Sequence, residues 1–381
     1  MSKKKNKKKR PNTPGPSVRL SQCMIVKNEE KNIEKALSWA KKIAFEQIVV
    51  DTGSTDRTIE MAERMGAKVI HFEWINDFAA AKNFAIEQAK GEWIAMLDAD
   101  EYFSAGDTKK IMPFLKYVMA DPKLRDKWLV IQCPWAQLDD TGKVAEIFTQ
   151  ERIFRNLPEI RYEGKIHERL NVHVDFTVYG DDITIMHTGY TTTSFDYTNK
   201  IERNISMINE GLKDDPDNLN FKGYLADALA AKAAKEGSTV EIENKIDELY
   251  SDVVNGGDDV LPLVRKGAYG NLLRKFIKIP EKLEECEHLV LSALSVFPNE
   301  MDFEYYYAIV LYEKKEFIEA WKLLEKCDTR ISSGEAVVDS RRIAANPKLV
   351  YNQMIKTAKQ LTDSDAKLKY ALEKAEMFPE V

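Results

Sequence analysis

Residues 93–101 read WIAMLDADE. An unbroken apolar run ends abruptly in Asp98-Ala99-Asp100. Continuous apolar residues followed by acids mark a buried parallel strand with charge at its C-terminal end. Ligands of open α/β sheets bind at the carboxyl ends of strands. Two carboxylates one residue apart are hard oxygen ligands for Mg²⁺ or Mn²⁺. A hard dication placed there neutralises a diphosphate. A solvated acidic turn after a strand would look the same in isolation, so the flanking sequence has to separate the two.

Residues 47–58, QIVVDTGSTDRT, form a second apolar run ending in Asp51. Gly53 permits a tight turn there, and Ser54, Thr55 or Asp56 can cap the next helix. Residues 20–30, LSQCMIVKNEE, are a strand running into Asn28 and two glutamates. Apolar Ile33, Leu37 and Ala40 then recur at helical spacing. A third strand, KVIHF at 68–72, precedes a helix over 77–90. Four short strands alternating with helices, with acids or amides at three strand ends, give a parallel sheet with a nucleotide at its edge. GxGxxG and GxxxxGK[ST] are both missing, which argues against a dinucleotide fold and a P-loop. A nucleotidyltransferase would need more acids near the site and a phosphate-grasping Gly/Arg loop, which this sequence does not show.

Four segments in order, IVKNEE, VVDTGSTDRT, FAAAKNFAIEQAKGEW and MLDADE, resemble the signatures of family 2 glycosyltransferases with the GT-A fold. The resemblance spans roughly residues 20–190. It implies a nucleotide-sugar donor, most often a UDP-sugar, and Mn²⁺ or Mg²⁺. Asp51 matches the acid at the donor base or ribose. Asp98 and Asp100 match the DxD pair, the first usually touching ribose and the second the metal. Lys82-Asn83 stand where the family often has Arg-Asn; lysine keeps the charge and loses the fork geometry. Lys27 replaces a frequent aromatic before Asn28-Glu29. Asn28 and Glu29 are therefore read as donor contacts, with a helix-opening cap as the other reading of Asn28.

Inverting transfer needs a group that takes the acceptor's proton. Residues 161–170, RYEGKIHERL, supply Gly164 for close backbone approach and adjacent His167-Glu168. Glu168 is the expected base and His167 the competing candidate. One of the two should only hold the loop, because a strand would point them to opposite faces. Residues 186–190, MHTGY, follow a strand-like segment and offer His187 as a further metal ligand. The two segments resemble the G-x-[IV]-H-E and H-x-G-Y segments of a subgroup that includes bacteriocin peptide S-glycosyltransferases and lipopolysaccharide-core sugar transferases. His71 and His173 read as structural or exposed. Most aromatics read as core, with Trp135, after an apparent strand end at Cys133-Pro134, a candidate sugar or peptide platform.

The 381 residues predict two or three domains. The boundaries expected are a basic tail at 1–18, a GT-A (Rossmann-like α/β) domain at 19–192 and an all-α tetratricopeptide-like domain at 193–381. Seven of the first ten residues are Lys or Arg; setting them aside takes the net charge from −6 to −13. With prolines and Gly15 behind it, this tail is expected to be disordered. It serves as a solubilising tail or as a weak contact to anionic membrane; specific nucleic-acid binding is not expected. No apolar run approaches a membrane span, and no signal peptide is read. Cys23, Cys133, Cys286 and Cys327 have neither zinc nor disulfide spacing. A cytoplasmic location follows, with peripheral attachment at the inner membrane face as its variant.

Beyond residue 191 helical periodicity takes over. MDFEYYYAIVLYEKK and FIEAWKLLEKC predict a helical hairpin joining Tyr307, Ala308 and Leu311 to Ala320, Leu323 and Leu324. Prolines lead helices near Pro216, Pro262, Pro298 and Pro347, at irregular spacing, as in degenerate tetratricopeptide repeats. Single hairpins cannot bury their apolar faces alone, so they must stack. Three uses remain open for the array: a groove for a glycan or peptide acceptor, a homodimer surface, or a buttress. The reading is a metal-dependent inverting glycosyltransferase. The alternative from another class is a non-catalytic scaffold that binds protein partners through its helical repeats.

Overall fold

The computed structural model describes residues 18–139, 141–180, 182–188, 197–333, 343, 346–362 and 364–378. The basic tail at 1–17, Gly189 and Tyr190 lie outside the described residues. The chain divides into two compact units, Met1–Tyr197 and Thr198–Val381.

The first unit is built on a mixed sheet. Strands β1 (Leu20–Val26), β2 (Glu46–Asp51), β3 (Lys68–His71) and β4 (Trp93–Met96) are parallel, in the order β3-β2-β1-β4. Helices α1 (Ile33–Ser38), α2 (Thr58–Arg64) and α3 (Phe78–Glu87) make the crossovers. Alternate residues feed opposite faces. Leu20, Trp93, Ala95 and Leu97 join a cluster with Ile111, Leu115 and Val118 of α4 (Ala105–Ala120). Cys23, Ile94 and Met96 join another with Ala85 and Ile86 of α3. Both faces are covered, which is why these strands read as unbroken apolar runs. Each fully buried Leu, Ile or Phe contributes about 1.5–3 kcal/mol.

A short helix, α5 (Pro122–Lys127), follows α4. The sheet then extends beyond β4 through β7 (Val144–Arg155), β6 (Val130–Leu138), β11 (Ile185–His187) and β5 (Glu101–Phe103). A hairpin of β8 (Tyr162–Glu163) and β9 (Arg169–Leu170) stands apart, and β10 (Thr177–Tyr179) pairs with β6. The apparent strand end at Cys133-Pro134 is not one. β6 runs through it to Leu138, exchanging its partner β10, at Val130–Gln132, for β11, at Trp135–Gln137. Pro134 falls between the two pairings, where its missing N–H costs no ladder bond.

In the second unit, helices α6 (Tyr197–Asp214), α7 (Leu219–Glu236), α8 (Val240–Val254), α9 (Pro262–Phe276), α10 (Leu283–Val296), α11 (Met301–Glu313), α12 (Phe317–Ser333), α13 (Lys348–Ala358) and α14 (Ser364–Glu376) follow one another. From α7 on, each helix packs on the next. α9 also packs on α7 and α11, and α11 on α13. This nearest-neighbour stacking is that of a helical-repeat solenoid. The α11–α12 hairpin forms, burying Ala308, Leu311, Ala320 and Leu324, while Tyr307 and Leu323 are only half-buried. Pro262 opens α9, and Pro347 stands immediately before α13. A groove of about 270 Å³ lies between α7, α8 and α9, lined by Ala233, Tyr250 and Lys275 among others. No described helix is long and apolar enough to cross a membrane.

Candidate active site

β4 delivers Asp98 and Asp100 just beyond its C-terminal end. The Asp98 carboxylate is 41% exposed and sits between two cations: Lys82 Nζ at 3.3 Å and Arg152 Nη2 at 3.1 Å. Partial burial pushes its pKa up, yet Lys82 and Arg152 outweigh this and hold it below the usual carboxylate range. Glu101, buried to 1% exposure, binds Arg152 in a fork. Its Oε2 accepts from Nε at 2.9 Å and its Oε1 from Nη2 at 2.7 Å. The same carboxylate accepts the Asp98 N–H at 3.0 Å and the Trp135 Nε1–H at 2.7 Å. A buried bidentate pair of this kind is strong and geometrically specific.

Arg152 is there because β7 is irregular. Ile131 pairs with Ile153 and Gln132 with Glu151, so Arg152 is the extra residue of a bulge. A bulge bends the strand and re-aims a side chain. The guanidinium thereby reaches acids 51 and 54 residues away in sequence.

Lys82 lies on α3, whose first turn is capped by Asp77 accepting Ala80 N–H at 2.8 Å. Next to it, Asn83 clasps the Tyr162 backbone through both amide atoms, at 2.9 and 2.8 Å. Phe78 N–H donates to Lys165 O at 2.8 Å. These bonds dock the 162–168 segment on the helix. Lys82 Nζ, on a residue 2% exposed, therefore reaches Glu168 Oε1 at 2.7 Å and bridges it to Asp98. Burial lowers the Lys82 pKa; Asp98 and Glu168 overcompensate, and the ammonium is held well above its ordinary value. Buried Tyr162 lies beside it, its ring centroid 5.2 Å from Nζ and its hydroxyl pushed up to about 12 by burial.

His167 and Glu168 do diverge, though not by the alternation of a strand. His167, in the loop before β9, has φ +53° and is an exposed residue, while Glu168 keeps a 15% exposed side chain against Lys82. Gly164, φ +98°, makes the tight turn that leads into the pair.

On β11, His187 is in register with Gln137 of β6 and Glu101 of β5. Its Nδ1 meets Gln137 Oε1 at 2.5 Å, and its Nε2 faces Asp100 Oδ2 at 3.3 Å. Trp135 stacks on the ring, centroids 4.1 Å apart. Trp135 is thus 8% exposed, stacked on His187 and bonded to Glu101, in keeping with the core reading of the aromatics rather than a sugar or peptide platform. A carboxylate beside an imidazole nitrogen, with the other nitrogen hydrogen-bonded, is a donor set that fits a divalent cation. Among the described residues no group of three His, Cys, Asp or Glu converges as a metal site. Asp100 and His187 would supply two ligands.

The Asp51 carboxylate is 2% exposed. It accepts the N–H groups of Gly53 at 3.0 Å and Ser54 at 3.0 and 3.2 Å, closing its own turn at Gly53, φ +107°. His71 Nδ1 lies 3.5 Å away; His71 and His173 are both exposed, as expected. Asn28 does not cap a helix. It takes φ +58°, which Asn tolerates, and its Oδ1 accepts Thr55 N–H at 2.7 Å. Asn28 N–H donates to Ser54 Oγ at 2.9 Å and Glu29 N–H to Thr58 Oγ1 at 2.7 Å. The loops after β1 and β2 are therefore zipped together. None of the three candidate caps stands at the N-cap of α2, which is Arg57; Asp56, one residue earlier, accepts Thr58 N–H at 2.9 Å.

Residues 21–121 match the sequence model of Glycosyl transferase family 2. Over these residues the chain is similar to that family. A TPR repeat-containing protein of Synechococcus elongatus is 31% identical over 232 residues, covering 58% of this chain and 53% of that protein. The SPbeta prophage-derived glycosyltransferase SunS of Bacillus subtilis is 30% identical over 203 residues, 51% of this chain and 45% of SunS. The chain thus spans about half the length of these relatives. Among solved structures, S. aureus TarS 1–349 aligns with a TM-score of 0.39 at 15% identity, covering 78% of this chain and 92% of that one. The matched residues include Asp51, Lys82, Asp98 and Asp100; Arg152, Glu168 and His187 come from strands and loops beyond them.

Proposed function

We propose that this chain transfers a sugar from a nucleotide-sugar, with a UDP-sugar as first candidate, to a glycan or peptide acceptor, with inversion at the anomeric carbon. The observation that carries this reading is the convergence of Asp98, Asp100, Lys82, Glu168 and His187 at the end of β4. Asp100 and His187 would hold Mn²⁺ or Mg²⁺, with Asp98 beside them toward the ribose. Such a cation supplies Lewis-acid charge against a departing diphosphate. Lys82 adds fixed positive charge on the same side. Glu168, held against Lys82, takes the proton of the acceptor nucleophile; His167 is the competing base. Asp51 belongs to the nucleoside region through the turn it holds, and Asn28 and Glu29 through the loop zipped onto that turn.

Thermal-shift screening of nucleotide-sugars, each with and without Mn²⁺, tests the reading. A ligand that binds only the folded state raises its melting temperature by linkage. A UDP-sugar is expected to stabilise the chain, and more strongly with Mn²⁺. No stabilisation by any nucleotide-sugar would contradict it.

A further inference from the structure

We propose that Gln137 is a positioning residue that fixes the His187 imidazole for cation binding; this rests on the cation site proposed above. Gln137 Nε2 donates to Leu138 O at 2.9 Å. A carbonyl oxygen only accepts, so the amide nitrogen must be on that side, and Oε1 must be the atom 2.5 Å from His187 Nδ1. Oε1 is likewise an acceptor only, so Nδ1 carries the proton and donates it. The ring nitrogen left to face Asp100 Oδ2 at 3.3 Å is Nε2. Trp135, stacked at 4.1 Å, fixes the ring plane, while Gln137 fixes its spin and its tautomer.

The choice of an amide over a carboxylate fits its surroundings. Asp98, Glu101 and Glu168 already set three carboxylates against Lys82 and Arg152, and Asp100, facing His187, is a fourth. A neutral acceptor orients His187 without adding a fifth negative charge at the 8% exposed position 137. Register makes the pairing available: His187 and Gln137 are direct partners on neighbouring parallel strands and project from the same sheet face.

The test uses the full chain and Mn²⁺ as the probe, titrated calorimetrically in the presence of UDP. Gln137→Met keeps the length of the side chain and lacks the acceptor; it should weaken the Mn²⁺ Kd about 10- to 100-fold, as loss of an outer-shell partner does. Gln137→Glu keeps an oxygen against Nδ1 while losing the bond to Leu138 O and adding a charge, and should weaken Mn²⁺ binding less than Gln137→Met does. In ¹⁵N-histidine spectra recorded without metal, the Nδ1–H signature of His187 should be present in the parent and in Gln137→Glu and lost in Gln137→Met. Equal Mn²⁺ affinity in Gln137→Met and the parent would overturn the role of Gln137 while leaving the cation site standing. Equal losses in the Met and Glu variants would also overturn it, because packing alone would then account for both. If the parent chain with UDP bound takes up no Mn²⁺, the cation site itself fails and this inference falls with it.

Discussion

β2 and β4 end alike in sequence, an apolar run closed by aspartate, and differently in structure. The Asp51 carboxylate is 2% exposed and saturated by the N–H groups of its own turn. The Asp98 carboxylate is 41% exposed between Lys82 and Arg152, and Asp100 faces His187. What separates them is where the counter-charge comes from. Local backbone N–H groups meet Asp51 and tie it to its own turn. Side chains from α3, β7 and β11 meet the β4 acids, leaving them polar, oriented and accessible. An acid at a strand end is thus an incomplete signal until its partners are known.

The largest effect that would break this contrast is on turnover. Asp100→Ala is expected to lower sugar transfer by roughly a thousandfold, in the range seen when a transition-state electrostatic partner is removed. Asp51→Asn should lower it far less. UDP release from a panel of UDP-sugars measures both, and equal losses would erase the distinction. Next comes Lys82→Ala, which leaves Glu168 and Asp98 facing each other without their shared ammonium. Removing one partner of a buried pair costs about 3 kcal/mol or more. The first urea transition should move accordingly, read separately from the helical unit because two units need not unfold together.

Asp51→Asn sharpens the comparison from the other side. An amide cannot accept from both N–H groups with both its atoms, so about 1–3 kcal/mol of stability should be lost. An unchanged urea midpoint would deny that tie. The smallest effect concerns Asp56 in the same loop. Burial pushes its carboxyl up, while hydrogen bonds from the Thr58 hydroxyl, the Thr58 N–H and the Glu30 N–H pull it below the usual value. A lowered folded pKa contributes stability that is present above the unfolded value near 3.9 and lost as pH falls through the folded one. Asp56→Asn should therefore remove a small increment at pH 7 and flatten the acid limb of the melting-temperature profile. An acid limb as steep as the parent's would rule that out.

The parallel half of the sheet was legible because its strands are covered on both faces and read as apolar runs with polar ends. The helical unit was legible through the periodicity of pairs such as Ala308 and Leu311. β7 was not, because Gln150, Glu151 and Arg152 interrupt the apolar pattern, and its bulge shifts the register just where Arg152 turns. Glu101 stood in plain view after Asp100, yet nothing local reveals that it is 1% exposed and bound to a guanidinium 51 residues on. Gln137 had no signal at all, since its meaning comes only from register with His187, 50 residues away. The strand end read at Cys133-Pro134 was a misreading, because Pro134 marks a change of partner strand.

The most direct test is calorimetric titration of UDP into the full chain and into Asp100→Asn, each with and without Mn²⁺. Tightening of UDP by Mn²⁺ of at least about tenfold, or 1.4 kcal/mol, is predicted in the parent chain and none in the variant. One UDP affinity shared by both chains under both conditions would contradict the assignment of the β4 acids to the donor site.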